Sequence, residues 1–67
     1  MKPTPTYKAV FHLSYGLEKT VMILKAMAWI HENDAEHTYV NFYANDDELV
    51  FVQNDRDAAI KLKLALT

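Results

Sequence analysis

The chain lacks cysteine and has little glycine or proline, and these shortages exclude several classes of protein. Its 67 residues contain no cysteine, one glycine and two prolines. Without cysteine there is neither a disulfide framework nor a zinc site held by thiolates. The content of 51% hydrophobic and 12% aromatic residues is that of a folding chain. We therefore predict a single domain over residues 1–67, which begins with an extended lead over residues 1–5.

The pattern of a secretion signal or a membrane span is also missing. Residues 1–6 contain a lysine and two prolines where a signal peptide would have an apolar core. The apolar segment Leu17 to Glu32 is interrupted by Lys19 and Lys25, so it falls short of the roughly 20 apolar residues that span a bilayer. We expect a cytoplasmic protein with no membrane partner, in the host cytoplasm if the source is viral.

Basic residues are scarce in the second half of the chain. The net charge is −2, and Arg56 is the single base between Glu32 and Asp57. A nucleic-acid-binding protein normally carries a dense basic strip, so general binding to nucleic acid is disfavoured. The acids indicate a patch that steers the chain to a basic partner, or a mimic of DNA phosphates. The predicted steering patch consists of Asp46, Asp47, Glu48, Asp55 and Asp57.

Hydrophobic periodicity predicts the regular elements. Alternation indicates strands over residues 6–13, 37–44 and 49–53, the last two joined by the turn Asn45 to Glu48. A helix is expected from about Leu17 to near Asn33. Residues 57–66 suit a helix by composition but also alternate like a strand. We predict an α+β two-layer βαββα sandwich with a three-stranded antiparallel sheet and a C-terminal helix. A ferredoxin-like βαββαβ fold with a terminal strand is the alternative.

The predicted helix Leu17 to Glu32 is apolar around most of its circumference, and this excess indicates the function. One sheet covers one face of a helix, so a second face needs another partner. We expect Leu17, Val21, Leu24 and Ala28 to pack on the sheet. The predicted interface consists of Met22, Ala26, Trp29 and Ile30, with Tyr39 and Tyr43 on the second strand.

These observations favour a non-enzymatic protein-interaction module that binds itself, as a homodimer, or a larger protein. The alternative is a small nucleic-acid-binding domain that stacks bases on Tyr39 and Tyr43. Chemistry at small-molecule sites is disfavoured. His12, Ser14 and Gly16 lie at a strand-to-helix junction, which is able to bind an anion. A small enzyme that uses His12 and Ser14 is the least favoured hypothesis. No cofactor and no metal site are predicted.

The C-terminal pattern carries a family resemblance. Residues 51–64, Phe-Val-Gln-Asn-Asp-Arg-Asp-Ala-Ala-Ile-Lys-Leu-Lys-Leu, resemble the end of small accessory proteins of T4-type tailed phages. That resemblance implies a host-takeover or accessory role by protein contact. Val10 to Ser14, followed by a helix and by Tyr43 to Asn45, is similar to the opening of DsrE-type sulfur-relay proteins. Their sulfur chemistry does not transfer, because the members of that family that carry sulfur use a cysteine and this chain has none.

Overall fold

The computed structural model describes residues 4–67 and shows the predicted α+β architecture. The elements are β1 (Tyr7–His12), α1 (Gly16–Glu32), a 3-10 turn (Glu36–Thr38), β2 (Tyr39–Ala44), β3 (Glu48–Gln53) and α2 (Arg56–Leu66). The βαββα order is confirmed, and residues 56–66 form a helix rather than the strand of the ferredoxin-like alternative. The predicted lead over residues 1–5 lies largely outside the described residues; residues 4–6 have no regular structure.

The sheet is antiparallel with the order β1-β3-β2, so the last strand in sequence is central. Four consecutive residues of β3, from Leu49 to Val52, are buried. A strand with neighbours on both sides tolerates such a continuous apolar run, whereas an edge strand exposes alternate positions. In β1, Ala9 and Phe11 are buried while Lys8 and His12 are exposed, as the alternation predicted.

The hydrophobic core lies between one face of the sheet, here called the inner face, and the two helices. Phe51 is central: its ring centroid is 5.9 Å from that of Phe11, edge to face, and 5.9 Å from that of Phe42. Ala26 of α1 and Leu62 of α2 are fully buried against this face. Both helices therefore cover the same side of the sheet.

The face of α1 that packs on the core differs from the predicted one. Ala26 and Ile30 are buried, and Met22, Ile23 and Met27 pack against the core cluster. The prediction that Leu17, Val21, Leu24 and Ala28 pack on the sheet is wrong, because these four positions are exposed. The small side chain of Ala26 permits close approach at the centre of the packed face, where larger residues flank it.

A register shift in β2 also changes a predicted face. Tyr39 pairs with Gln53, but the next pair is Asn41 with Val52, so Val40 is the extra residue of a β-bulge. An extra residue reverses the alternation, and Tyr39 consequently lies on the inner face with Phe42. A regular strand would place Tyr39 and Tyr43 on the same face, and the bulge prevents this.

Local hydrogen bonds define the helix ends. Asp34 has φ 56°, and the amides of Asp34 and Ala35 donate to the carbonyls of His31 and Ile30, which is a Schellman ending of α1. At the start of α2 the Asp55 carboxylate accepts from the Ala58 amide at 3.2 Å. An Asn-Asp pair lies at both places, Asn33-Asp34 at the end of α1 and Asn54-Asp55 before the start of α2.

The free edge of β1 is partly covered by α2. The Lys63 ammonium donates to the Val10 carbonyl and lies 4.4 Å from the centroid of the Phe11 ring. A lysine that binds an edge carbonyl blocks the pairing of a further strand at that point. The β1 edge is therefore less accessible to partners than the strand order alone would indicate.

Candidate functional site

The most prominent exposed feature is an apolar stripe along the outer side of α1, consisting of Leu17, Val21, Leu24 and Ala28. The exposed fractions are 78% for Leu17, 43% for Val21 and 66% for Leu24, and Ala28 is exposed as well. Residues spaced by four, three and four lie on one face of a helix. Single exposed apolar residues are common, but a contiguous row of them marks an interaction surface.

Charged residues border this apolar stripe on one side only. Glu18, Lys25 and Glu32 are exposed and spaced by seven, so they form a parallel row. None of the three forms an ion pair with any residue in the range 4–67. A groove of about 350 Å³ lies along the same border, lined by Leu13, Leu17, Glu18, Val21, Met22 and Lys25. The stripe thus combines apolar surface, a groove and uncompensated charges of both signs.

The predicted interface residues of α1 lie mostly elsewhere. Ala26 and Ile30 are buried in the core, so their assignment to a surface is corrected. Trp29 is half-buried against the core and lines a cavity of about 210 Å³ on the α2 side. Met22 is half-buried and lines the groove beside the apolar stripe. Of the four, Met22 is the residue that lies beside the apolar stripe.

Tyr39 and Tyr43 lie on opposite faces of the sheet because of the bulge at Val40. Burial of the Tyr39 ring raises the pKa of its phenol above the usual 10.0. Tyr43 lies on the outer face, where the Lys8 ammonium is 5.9 Å from its ring centroid. The two rings cannot form one surface, either for a protein or for stacked bases. The base-stacking hypothesis loses the paired aromatic residues on which it depended.

The predicted acidic patch is divided between the two ends of β3. Asp46 and Asp47 lie in the β2–β3 turn and Glu48 begins β3, whereas Asp55 and Asp57 lie beyond its other end. A six-residue strand separates the groups by roughly 17 Å. Asp55 is moreover engaged as the cap of α2. The prediction of a single steering patch is corrected to a turn and a helix start.

The β2–β3 turn is held close to the start of α1. The Lys19 ammonium donates to the carbonyls of Asn45 and Asp46, the second at 3.1 Å. Lys19 is two positions from both Leu17 and Val21, so it lies on the opposite side of α1 from the apolar stripe. The acidic turn is therefore held against the core-facing side of the start of α1.

His12, Ser14 and Gly16 are all exposed but are not brought together as a site. His12 lies on the outer face of the sheet, 3.7 Å from the Glu48 carboxylate, and a carboxylate there disfavours an anion. Gly16 begins α1, whose N-cap residue Tyr15 makes no side-chain cap. The contact that the structure gives for the His12 imidazole is with the Glu48 carboxylate and not with Ser14, so the pairing required of a base and its nucleophile is not shown.

The described part of the chain contains no group of three or more His, Asp or Glu side chains placed to hold a metal ion. The His31 imidazole and the Glu36 carboxylate form a single pair at 2.9 Å. The pKa of Glu36 is lowered from 4.5, first by its own backbone amide and then by the hydrogen bond with His31. This exposed pair links the end of α1 to the 3-10 turn.

A second groove, of about 550 Å³, lies between β1 and α2. Its apolar lining includes Tyr7 and the exposed Ile60 and Leu64, and Lys8, Arg56 and Lys63 also line it. Lys8 and Lys63 are already engaged with Tyr43 and with the β1 edge. Leu64 in this groove is about as exposed as Leu24 in the apolar stripe, so the two positions can be compared directly.

Comparisons of the chain with protein-family models, curated proteins and solved structures found no match. The class of protein is therefore defined by the fold alone: a small α+β domain with a three-stranded antiparallel sheet. None of the helices in residues 4–67 has the length and apolar character needed to cross a membrane.

Proposed function

We propose that this chain is a non-enzymatic protein-interaction module that binds through the apolar stripe of α1. The observation that carries the proposal is the exposure of Leu17 and Leu24, at 78% and 66%, after the opposite face of the same helix has been buried. The fold therefore leaves a row of apolar side chains in water. Such an arrangement is favourable when a partner completes the burial.

The energetics of the apolar stripe favour a reversible complex. Complete burial of a leucine or valine side chain provides about 1.5–3 kcal/mol, and three such residues lie in the stripe. Association costs about 4–15 kcal/mol in lost freedom of motion. Apolar burial provides the affinity in this proposal, while the acidic turn with Asp46 and Asp47 orients a partner through its charge.

The sequence supports a role and a compartment for this module. The resemblance of residues 51–64 to phage accessory proteins supports an accessory or inhibitory role that requires contact alone. The cytoplasm, or the host cytoplasm for a viral chain, is the proposed compartment. No reaction is proposed.

Site-specific crosslinking tests the surface directly. A photo-crosslinking amino acid replaces Leu24 in one variant and Leu64 in a matched control, in cells of the organism that encodes the chain. The two leucines have similar exposure, 66% and 71%, but lie on different helices. We expect protein adducts from position 24 and few from position 64. Equal yields from both positions, or none from position 24, would contradict the proposed surface.

A further inference from the structure

We infer that the partner at the apolar stripe is a second copy of this chain, bound with the two α1 helices antiparallel. This inference rests on the proposed function and adds the identity and direction of the bound helix. It is carried by the charges beside the stripe, which match in one mutual orientation of two copies and not in the other.

The spacing of the stripe is that of a two-helix seam. Leu17, Val21, Leu24 and Ala28 are separated by four, three and four residues, which is the alternation of the two apolar positions in a heptad repeat. Over four such positions two straight helices stay in contact without much supercoiling. The seam therefore fits another helix of the same kind.

The two flanks of the seam differ, and this difference selects the direction. One flank carries Glu18, Lys25 and Glu32, whereas the other carries Thr20 and the half-buried Met27. In a parallel pair each charged flank would face the uncharged flank of the other copy. In an antiparallel pair the two charged flanks face each other. Their charges then lie close enough to pair.

The antiparallel register also brings together complementary sizes. When Val21 packs on Leu24 of the second copy, Leu17 packs on Ala28 and a large side chain meets a small one. In this register Glu18 lies beside Lys25 of the second copy, and the two-fold symmetry repeats the pair. Both charges have no ion-pair partner within residues 4–67 of a single copy. Two attractive contacts are thus formed without breaking existing ones.

Charge reversal tests both the partner and the direction. Glu18→Lys and Lys25→Glu each convert the two attractive contacts into repulsive ones, and the double variant restores them with opposite sign. Sedimentation equilibrium of the purified chains measures self-association. We expect each single variant to weaken self-association roughly tenfold at low salt. The double variant should recover the original value. An equimolar mixture of the two single variants should form heterodimers.

Matched controls separate specific pairing from net charge. Glu32→Lys changes the net charge by the same amount as Glu18→Lys, and Lys61→Glu matches Lys25→Glu on the other helix. Neither control residue lies in the proposed pair, so both should leave self-association nearly unchanged. The specific effects should also shrink at about 1 M salt, where the Debye length is about 3 Å.

The outcomes distinguish this inference from the proposed function. A chain that remains monomeric at about 1 mM, or single variants that associate as well as the wild type, would overturn the antiparallel homodimer. If crosslinking at position 24 then yields adducts with a different protein, the interaction surface stands and its partner is another chain. If position 24 yields no adducts either, both proposals are overturned.

Discussion

Gln53, the last residue of β3, provides the sharpest test of how this small core is stabilised. Its side chain is fully buried on the inner face, between the strand partners Tyr7 and Tyr39. Neither its Nε2 nor its Oε1 atom has a hydrogen-bond partner among residues 4–67. Buried amides are normally hydrogen-bonded, because losing water without gaining a partner costs free energy.

Replacing Gln53 with methionine should therefore raise the stability. Methionine has nearly the same length and shape, so the packing is retained while the buried polar atoms are removed. An unsatisfied buried donor or acceptor costs about 1–3 kcal/mol, and we expect the free energy of unfolding to increase by about 2 kcal/mol. For a domain of this size that gain corresponds to a rise in Tm of roughly 8–16 °C.

Urea unfolding followed by far-UV circular dichroism measures this change, with the slope m checked for constancy. Thr38→Val is the matched control. Thr38 is also buried, but its hydroxyl donates to the Ala35 carbonyl at 2.7 Å. Removing this satisfied hydrogen bond should lower the stability by about 1 kcal/mol. A Gln53→Met variant no more stable than the wild type would refute the reasoning, since the buried amide would then impose no net cost.

Two further predictions concern the ends of the helices. Asp55→Ala should lower the free energy of unfolding by about 1 kcal/mol, because the Ala58 amide loses its cap. Urea titration measures this loss, with Asp57→Ala as the control. Equal losses in the two variants would contradict a specific cap. His31→Ala should raise the pKa of Glu36 toward 4.5, as measured by NMR titration. Because folding lowers the pKa of Glu36, its contribution to stability is present above the unfolded pKa and is lost as the pH falls through the folded value. An unchanged pKa of Glu36 would exclude a role for His31.

Local patterns predicted most of the elements. The strands near residues 7–12 and 48–53, the helix 16–32 and the break after it all follow from periodicity and from Asn-Asp pairs. The competing strand at the C-terminus was harder to exclude, because Ile60, Leu62 and Leu64 alternate. The carboxylate of Asp55 decides in favour of the helix, since it caps the Ala58 amide and so starts the first turn.

The candidate site was predicted less well than the fold. A helix that is apolar on several sides has no unique buried face, and the hydrophobic pattern of α1 fits Met22, Ala26 and Ile30 as well as Leu17, Val21 and Leu24. The heptad spacing of 17, 21, 24 and 28 was visible in the sequence, together with the charges spaced by seven beside it. What was missing was a reason to place this row outside the core. The half-burial of Trp29 shows that residue type alone is a poor guide to the surface.

The amino-acid sequence by itself determined the class of fold, the order of its elements and the excess of apolar surface on α1, because these depend on periodicity and composition within short segments. The tertiary structure decided which face of α1 is covered, since α2 and the inner face of the sheet together contact one side of that helix. It also decided the separation of Tyr39 from Tyr43, because a single bulge at Val40 reverses the alternation of a strand. Both outcomes depend on contacts between segments distant in the chain, and no local pattern contains them.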